Sequence, residues 1–222
     1  MFTRKRTNMN ETLSRIVDSG VVAVLRGVPA DQLIEIAAAL HDGGVSAIEI
    51  TADTPDVADL IGEVTGSFDD EVVVGTGTVL DSETARTTLL AGAEFVVSPS
   101  LHEDVIETCN RYGAVSAPGV MTPTEAIRGY EAGADFVKVF PAKTVGPDHI
   151  GAMKGPLGQI PMMPTGGVGP DNAADYIDAG AFAVGAGGAL VDYDAAARGE
   201  YETITETARE FTQVVEEART DD

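Results

Sequence analysis

Short apolar runs alternate with amphipathic stretches along nearly the whole chain, and a small recurring phrase separates them. Glycine among small residues precedes an apolar run at Gly43-Gly44-Val45, Ala91-Gly92-Ala93, Gly113-Ala114, Ala132-Gly133-Ala134 and Ala179-Gly180-Ala181. Glycine just past a helix is the usual left-handed cap, so each phrase marks a helix end followed by a strand. The strands predicted this way are 46–50, 94–98, 115–117, 135–139 and 182–185, and runs at 21–26, 72–75 and 160–163 fill the remaining places. Helical patterns lie between them at 31–40, 55–64, 82–90, 103–111, 123–131, 147–153 and 170–178. Several open with proline in the first turn or with an Asp, Ser or Thr cap.

Eight strands alternating with helices predict a parallel sheet closed as a (β/α)8 TIM barrel. The strands are apolar on both faces, as a parallel sheet covered on both sides requires. An open doubly wound sheet is the alternative, weakened because no strand runs into G-x-G-x-x-G with an acid at the right distance. Residues 1–12 read as a loose leader, 13–222 as a single domain, and 201–219 as a closing amphipathic helix.

Composition narrows the class. A chain of 222 residues with 44% hydrophobic content suits one well-cored domain. No run approaches the ~18 apolar residues a membrane span needs. The basic start Thr3-Arg4-Lys5-Arg6 is not followed by the apolar core of a secretory signal, and Cys109 is the only cysteine. A cytoplasmic enzyme is expected. The formal charge of −22 argues against nucleic acid and anionic membranes as partners and for a small-molecule substrate. Arginine outnumbers lysine among 14 cations set against 36 acids, the surface expected of a protein adapted to concentrated salt, where screening relieves self-repulsion.

Against that background Lys138 stands out, inside the apolar run Phe136-Val137-Lys138-Val139-Phe140. Strand alternation puts Phe136, Lys138 and Phe140 on one face. Burial favours an amine without charge, the form that attacks a carbonyl to make a Schiff base. Glu49, in Ala47-Ile48-Glu49-Ile50-Thr51, is its natural companion, because barrel active sites gather at the carboxyl ends of the strands. A buried structural ion pair is the competing reading of the two. Other strand ends supply Arg26, suited to a carboxylate, and the glycine loops Thr165-Gly166-Gly167 and Gly187-Gly188, suited to an anion held by backbone amides. His41, His102 and His149 form no metal-binding pattern, so no metal is expected.

Six ordered phrases resemble the 2-keto-3-deoxy-6-phosphogluconate (KDPG) aldolase family, which includes 4-hydroxy-2-oxoglutarate aldolases. They are Gly43-Gly44-Val45 with Ile48-Glu49-Ile50-Thr51, Gly75-Thr76-Gly77-Thr78-Val79-Leu80, Val97-Ser98-Pro99, Ala117-Pro118-Gly119-Val120, Val137-Lys138-Val139-Phe140-Pro141-Ala142 and Pro164-Thr165-Gly166-Gly167-Val168. The resemblance implies a class I aldolase without metal or cofactor, a homotrimer of barrels that cleaves KDPG to pyruvate and glyceraldehyde 3-phosphate. Carried over, Lys138 is the Schiff-base lysine and Glu49 the general acid and base. Thr78, Pro99 and Phe140 line the pyruvate pocket, with Thr165, Gly166 and Gly167 towards the far end of the substrate. Related readings are the galactonate epimer, unphosphorylated sugar acids and 4-hydroxy-2-oxoglutarate. A non-covalent phosphate-binding barrel enzyme or an anion-binding protein stands further off. Two positions depart from the family pattern. Asp53 stands where many members carry a carboxylate-binding arginine, which moves that role to Arg26. Gly188 stands where a serine often meets the phosphate.

Overall fold

The computed structural model describes residues 2–220. Nine parallel strands are present among them: β1 (Val21–Leu25), β2 (Ala47–Thr51), β3 (Val73–Gly77), β4 (Phe95–Val97), β5 (Val115–Ala117), β6 (Gly119–Val120), β7 (Val137–Val139), β8 (Met162–Pro164) and β9 (Val184–Ala186). They form a curled six-stranded sheet in the order β5-β4-β3-β2-β1-β9 and a three-stranded sheet β6-β7-β8. Pro118, which has no N–H to give a ladder, separates β5, the strand expected at 115–117, from β6, which was not expected. On the other flank the Phe182 N–H donates to the Met162 carbonyl at 3.2 Å, and Thr165 bridges Gly185.

The helices are α1 (Phe2–Ser19), α2 (Leu33–Asp42), α3 (Val57–Phe68), α4 (Ser82–Leu90), α5 (Glu103–Tyr112), α6 (Pro123–Glu131), α7 (Pro147–Lys154), α8 (Pro170–Asp178), α9 (Tyr193–Ala197) and α10 (Tyr201–Thr220). Proline opens α6, α7 and α8, where its missing N–H costs nothing. At α6 the Thr122 hydroxyl accepts from the Glu125 N–H while the Glu125 carboxylate accepts from the Thr122 N–H, a full capping box.

Side-chain alternation sorts the apolar residues into two layers. Ile48, Ile50, Val137 and Val139 join the layer between sheet and helices. Ala47, Val73, Phe95, Val115, Phe136 and Met163 form an inner cluster to which both sheets contribute. Ile16 of α1 is fully buried in that inner cluster, and the Arg15 guanidinium pairs with Glu94 at 3.1 Å. The stretch expected to be a loose leader up to residue 12 therefore runs as helix into a segment that packs under the sheet. The short helix α9 was not anticipated; the Asp192 carboxylate caps it by accepting from the Ala195 N–H at 3.0 Å. Met1, Asp221 and Asp222, at the ends of the expected leader and domain, lie outside the described residues.

Candidate active site

Lys138 is the middle residue of β7, with Gly119 of β6 and Met163 of β8 as register partners. Val137 and Val139 face the helices, so alternation turns Lys138 towards the inside. Glu49 arrives from β2 in the other sheet by the same rule, flanked by the outward Ile48 and Ile50. Its carboxylate has room because β3 carries glycine opposite it: a Cβ at Gly77 would overlap the Glu49 carboxylate, as one at Gly75 would overlap the Phe95 ring.

The two charges meet across the interior with Lys138 Nζ 3.7 Å from Glu49 Oε1, their side chains 6% and 0% exposed. That separation is an ion pair but too long for a hydrogen bond. Neither oxygen of Glu49 has a hydrogen-bond partner. Burial pushes the Glu49 carboxyl above the usual carboxylate range, with the charges of Lys138 and Arg26 pulling the other way. The Lys138 ammonium lies 5.2 Å from the centre of the Phe140 ring.

A second pair stands at the mouth. Arg26 Nη1 donates to Asp53 Oδ2 at 2.5 Å and Nη2 donates to Thr78 Oγ1 at 2.9 Å. Thr78 holds a left-handed backbone, φ 60°, uncommon for a β-branched residue. The Thr51 hydroxyl and, after it, Arg26 hold the Asp53 carboxyl below its usual range. Asp53, which stands where many members of the family carry an arginine, has its charge matched in the fold by Arg26. Tyr193 of α9, which sequence reasoning missed, lies close enough to Arg26 to feel its charge, and burial pushes its hydroxyl up to about 12.

The remaining candidates ring this centre. Pro99 packs against Gly119, where a Cβ would overlap its backbone, beside the register position of Lys138. A Cβ at Gly166 would stand 3.1 Å from the Phe140 ring, so the glycine loop closes over that ring. Thr165 is 5% exposed and its hydroxyl has no partner. Gly166 and Gly167 both take left-handed backbone, φ 91° and 82°. Asn172 laces the loop, its Oδ1 accepting from the Gly169 N–H at 2.9 Å and its Nδ2 donating to the Gly167 carbonyl at 3.1 Å. The Gly187 carbonyl accepts from Leu190 and Val191, while Gly188 is exposed and offers no side chain. Among the described residues no cluster of three His, Cys, Asp or Glu side chains is placed to hold a metal.

A buried amine beside a buried, unpartnered carboxylate inside a curled parallel sheet is a pairing that the Schiff-base chemistry of an aldolase, a carbon–carbon lyase, can use. The chain belongs to the KDPG and KHG aldolase family, whose model matches residues 13–207. It is 36% identical over 171 residues to the 2-dehydro-3-deoxy-6-phosphogalactonate aldolase of Escherichia coli, covering 77% of this chain and 83% of that one. It is 33% identical over 208 residues to the KHG/KDPG aldolase of the same organism, covering 93% and 97%. Its structure superimposes with a TM-score of 0.83 on KDPG aldolase from Legionella pneumophila holding pyruvate as a covalent carbinolamine, at 26% identity over 89% of this chain and 96% of that one.

Proposed function

We propose that the protein cleaves KDPG to pyruvate and glyceraldehyde 3-phosphate through an imine on Lys138, the step that ends an Entner–Doudoroff-type sugar acid degradation. The observation that carries this is the buried Lys138–Glu49 pair at 3.7 Å, whose carboxylate oxygens have no partner until a substrate supplies one. The Lys138 amine adds to the C2 ketone, and loss of water leaves a protonated imine. Glu49 takes the C4 hydroxyl proton, the C3–C4 bond breaks, and its electrons flow into the imine to give an enamine. The aldehyde departs, Glu49 returns its proton to C3, and water releases pyruvate and restores the amine. Arg26 receives the carboxylate of the pyruvate half, Thr78, Pro99 and Phe140 line it, and the loops at 165–167 and 187–188 receive the far end.

Cleavage of the C4 epimer is the second reading, favoured by the 36% identity to the phosphogalactonate enzyme. Assay of both epimers separates the two readings. The two sheets are read as arcs of one (β/α)8 barrel, joined through Pro118 on one side and the Thr165–Gly185 bridge on the other. We further infer a cytoplasmic homotrimer that needs neither metal nor cofactor. The charge of −22 supports salt adaptation; full activity in ~0.05 M salt, where screening is weak, would remove that idea.

The deciding experiment is incubation with pyruvate and borohydride followed by peptide mapping. A reduced adduct on Lys138, absent from Lys138→Ala, is expected. Folded protein without an adduct would turn the reading towards non-covalent phosphate-binding barrel enzymes.

A further inference from the structure

Nearly every cation among the described residues is spoken for. Ion pairs or hydrogen bonds occupy Arg15, Arg26, Arg86, Arg128, Arg198 and Arg219, as well as Lys138 and Lys154, and Arg111 pairs with Glu107. In a chain with 36 acids and 14 basic residues this is what electrostatics demands, because an anion is always near. Among the cations of residues 11–220, whose side chains are described, Lys143 and Arg209 make no such contact. Arg209 lies on α10 beside Gly43, ahead of β2, at the end of the sheet away from the site. Lys143 lies in the 3₁₀ turn Ala142–Thr144 that follows β7, five residues from Lys138 on the same strand-to-loop segment.

Its placement is fixed by the glycine loop. The Lys143 N–H donates to the Gly166 carbonyl at 2.9 Å, and the Ala142 N–H donates to the Thr165 carbonyl at 2.8 Å. The aliphatic stem runs over Gly167, where a Cβ would stand 2.5 Å from Lys143 Cβ. Thr165, at the root of the same loop, keeps a buried hydroxyl with no partner. The loop itself carries no positive charge to set against a doubly charged anion. Asn172 already takes the Gly169 amide, Gly188 brings no hydroxyl, and Asp171 in the first turn of α8 places a negative charge beside Gly169.

We propose that Lys143 is the cation of a phosphate subsite, and that with the Thr165 hydroxyl and the 165–167 loop it selects substrates ending in a phosphate monoester. The proposal rests on the reaction proposed above. It assigns to this chain a charge that its glycine loops lack, and it explains why one lysine of an acidic protein is left unpaired beside the site. An ammonium on a flexible stem suits a terminal phosphate, which it meets as a point charge.

The test compares KDPG with its unphosphorylated analogue in the wild type, Lys143→Gln and Lys143→Arg. Lys143→Gln should lower kcat/KM for the phosphorylated substrate about 10- to 100-fold, the range of one hydrogen bond to a charged group. The loss should fall mainly on KM, with the unphosphorylated substrate and the pyruvate–borohydride adduct on Lys138 unchanged. Lys143→Arg should restore most of it. Equal losses on both substrates, or none on either, would overturn the proposal. If neither sugar acid is cleaved by the wild type, the KDPG reading fails, and melting with inorganic phosphate still decides the subsite. A phosphate-dependent rise in Tm that disappears in Lys143→Gln supports it; an equal rise in both proteins refutes it.

Discussion

The pairs Lys138–Glu49 and Arg26–Asp53 sit in one site and solve opposite problems. The inner pair is almost wholly out of water, 6% and 0% exposed, yet its atoms stand 3.7 Å apart and the carboxylate has no hydrogen bond. The outer pair is half exposed, 57% and 49%, and closes to 2.5 Å with Thr78 taking a further hydrogen bond. Water makes the outer contact cheap to form and of small value, about 0–1 kcal/mol for an exposed pair. The inner pair keeps an ionisable carboxyl where desolvation opposes its charge, which costs stability and leaves its bonding capacity for a substrate. Closeness of contact is therefore a poor guide to chemical importance under the proposed mechanism, which gives the chemistry to the looser pair and the positioning to the tighter one.

The largest effect expected from that contrast comes from the inner carboxylate. Glu49→Gln should slow turnover about 10²- to 10⁴-fold, the usual range for a lost general acid–base, while the pyruvate adduct on Lys138 still forms. An unchanged rate would take Glu49 out of the mechanism. The sign of its pH dependence also follows. Proton abstraction needs the ionised carboxylate, so the rate rises as pH passes through its pKa, and burial moves that limb above the ordinary 4.5. The limb belongs to the coupled pair and should vanish from the pH profile of Glu49→Gln.

Next in size is a change that touches neither charge. In Gly77→Ala the new methyl would overlap the Glu49 carboxylate, so the side chain or β3 must move. Activity should fall at least ~10-fold, since a small misplacement of a catalytic group is costly. Overpacking should lower stability by about 1–3 kcal/mol. Kinetics and thermal melting of the same variant check both, and a normal rate would show that the position of Glu49 is not critical.

Much of this was legible before the fold was known. The glycine phrases placed five of the strands and the helix ends before them, because a left-handed cap is a local event written in one residue, and 82–90, 123–131 and 170–178 form as helices over those ranges. Lys138 and Glu49 were legible because a charge inside an apolar strand breaks a pattern. The partnership of Arg26 with Asp53 was not, since its members are 27 residues apart and meet only when β1 and β2 lie side by side. Lys143 was passed over for a related reason. Its significance is the absence of a partner, which no local pattern records. The helix at the start of the chain was misread because its polar, basic beginning hides the buried Ile16 that anchors its end.

The outer pair gives smaller effects that sharpen the contrast. Arg26→Gln should raise KM about 10- to 100-fold with kcat little changed, since it removes a charged hydrogen bond to the substrate carboxylate. Its Tm should stay close to that of the wild type, as an exposed ion pair implies. A collapse of kcat with KM unchanged would mean that Arg26 acts on the reacting centre instead.

The smallest effect separates two roles for Asp53. Asp53→Asn keeps an oxygen that can accept from Arg26 Nη1 but removes the negative charge facing an incoming carboxylate. If the acid mainly competes with substrate for the guanidinium, KM should fall by roughly 2- to 5-fold, the scale of an exposed charge interaction. Both groups are about half exposed, so the gain should shrink as salt screens the interaction, and at about 1 M little should remain. If Asp53 mainly aims the guanidinium, the weaker neutral bond should let Arg26 swing and KM should rise. That rise should persist in salt, because it reflects lost geometry and not lost charge. Steady-state kinetics of the variant at two salt concentrations therefore distinguishes a competing anion from a positioning one by the direction of the change.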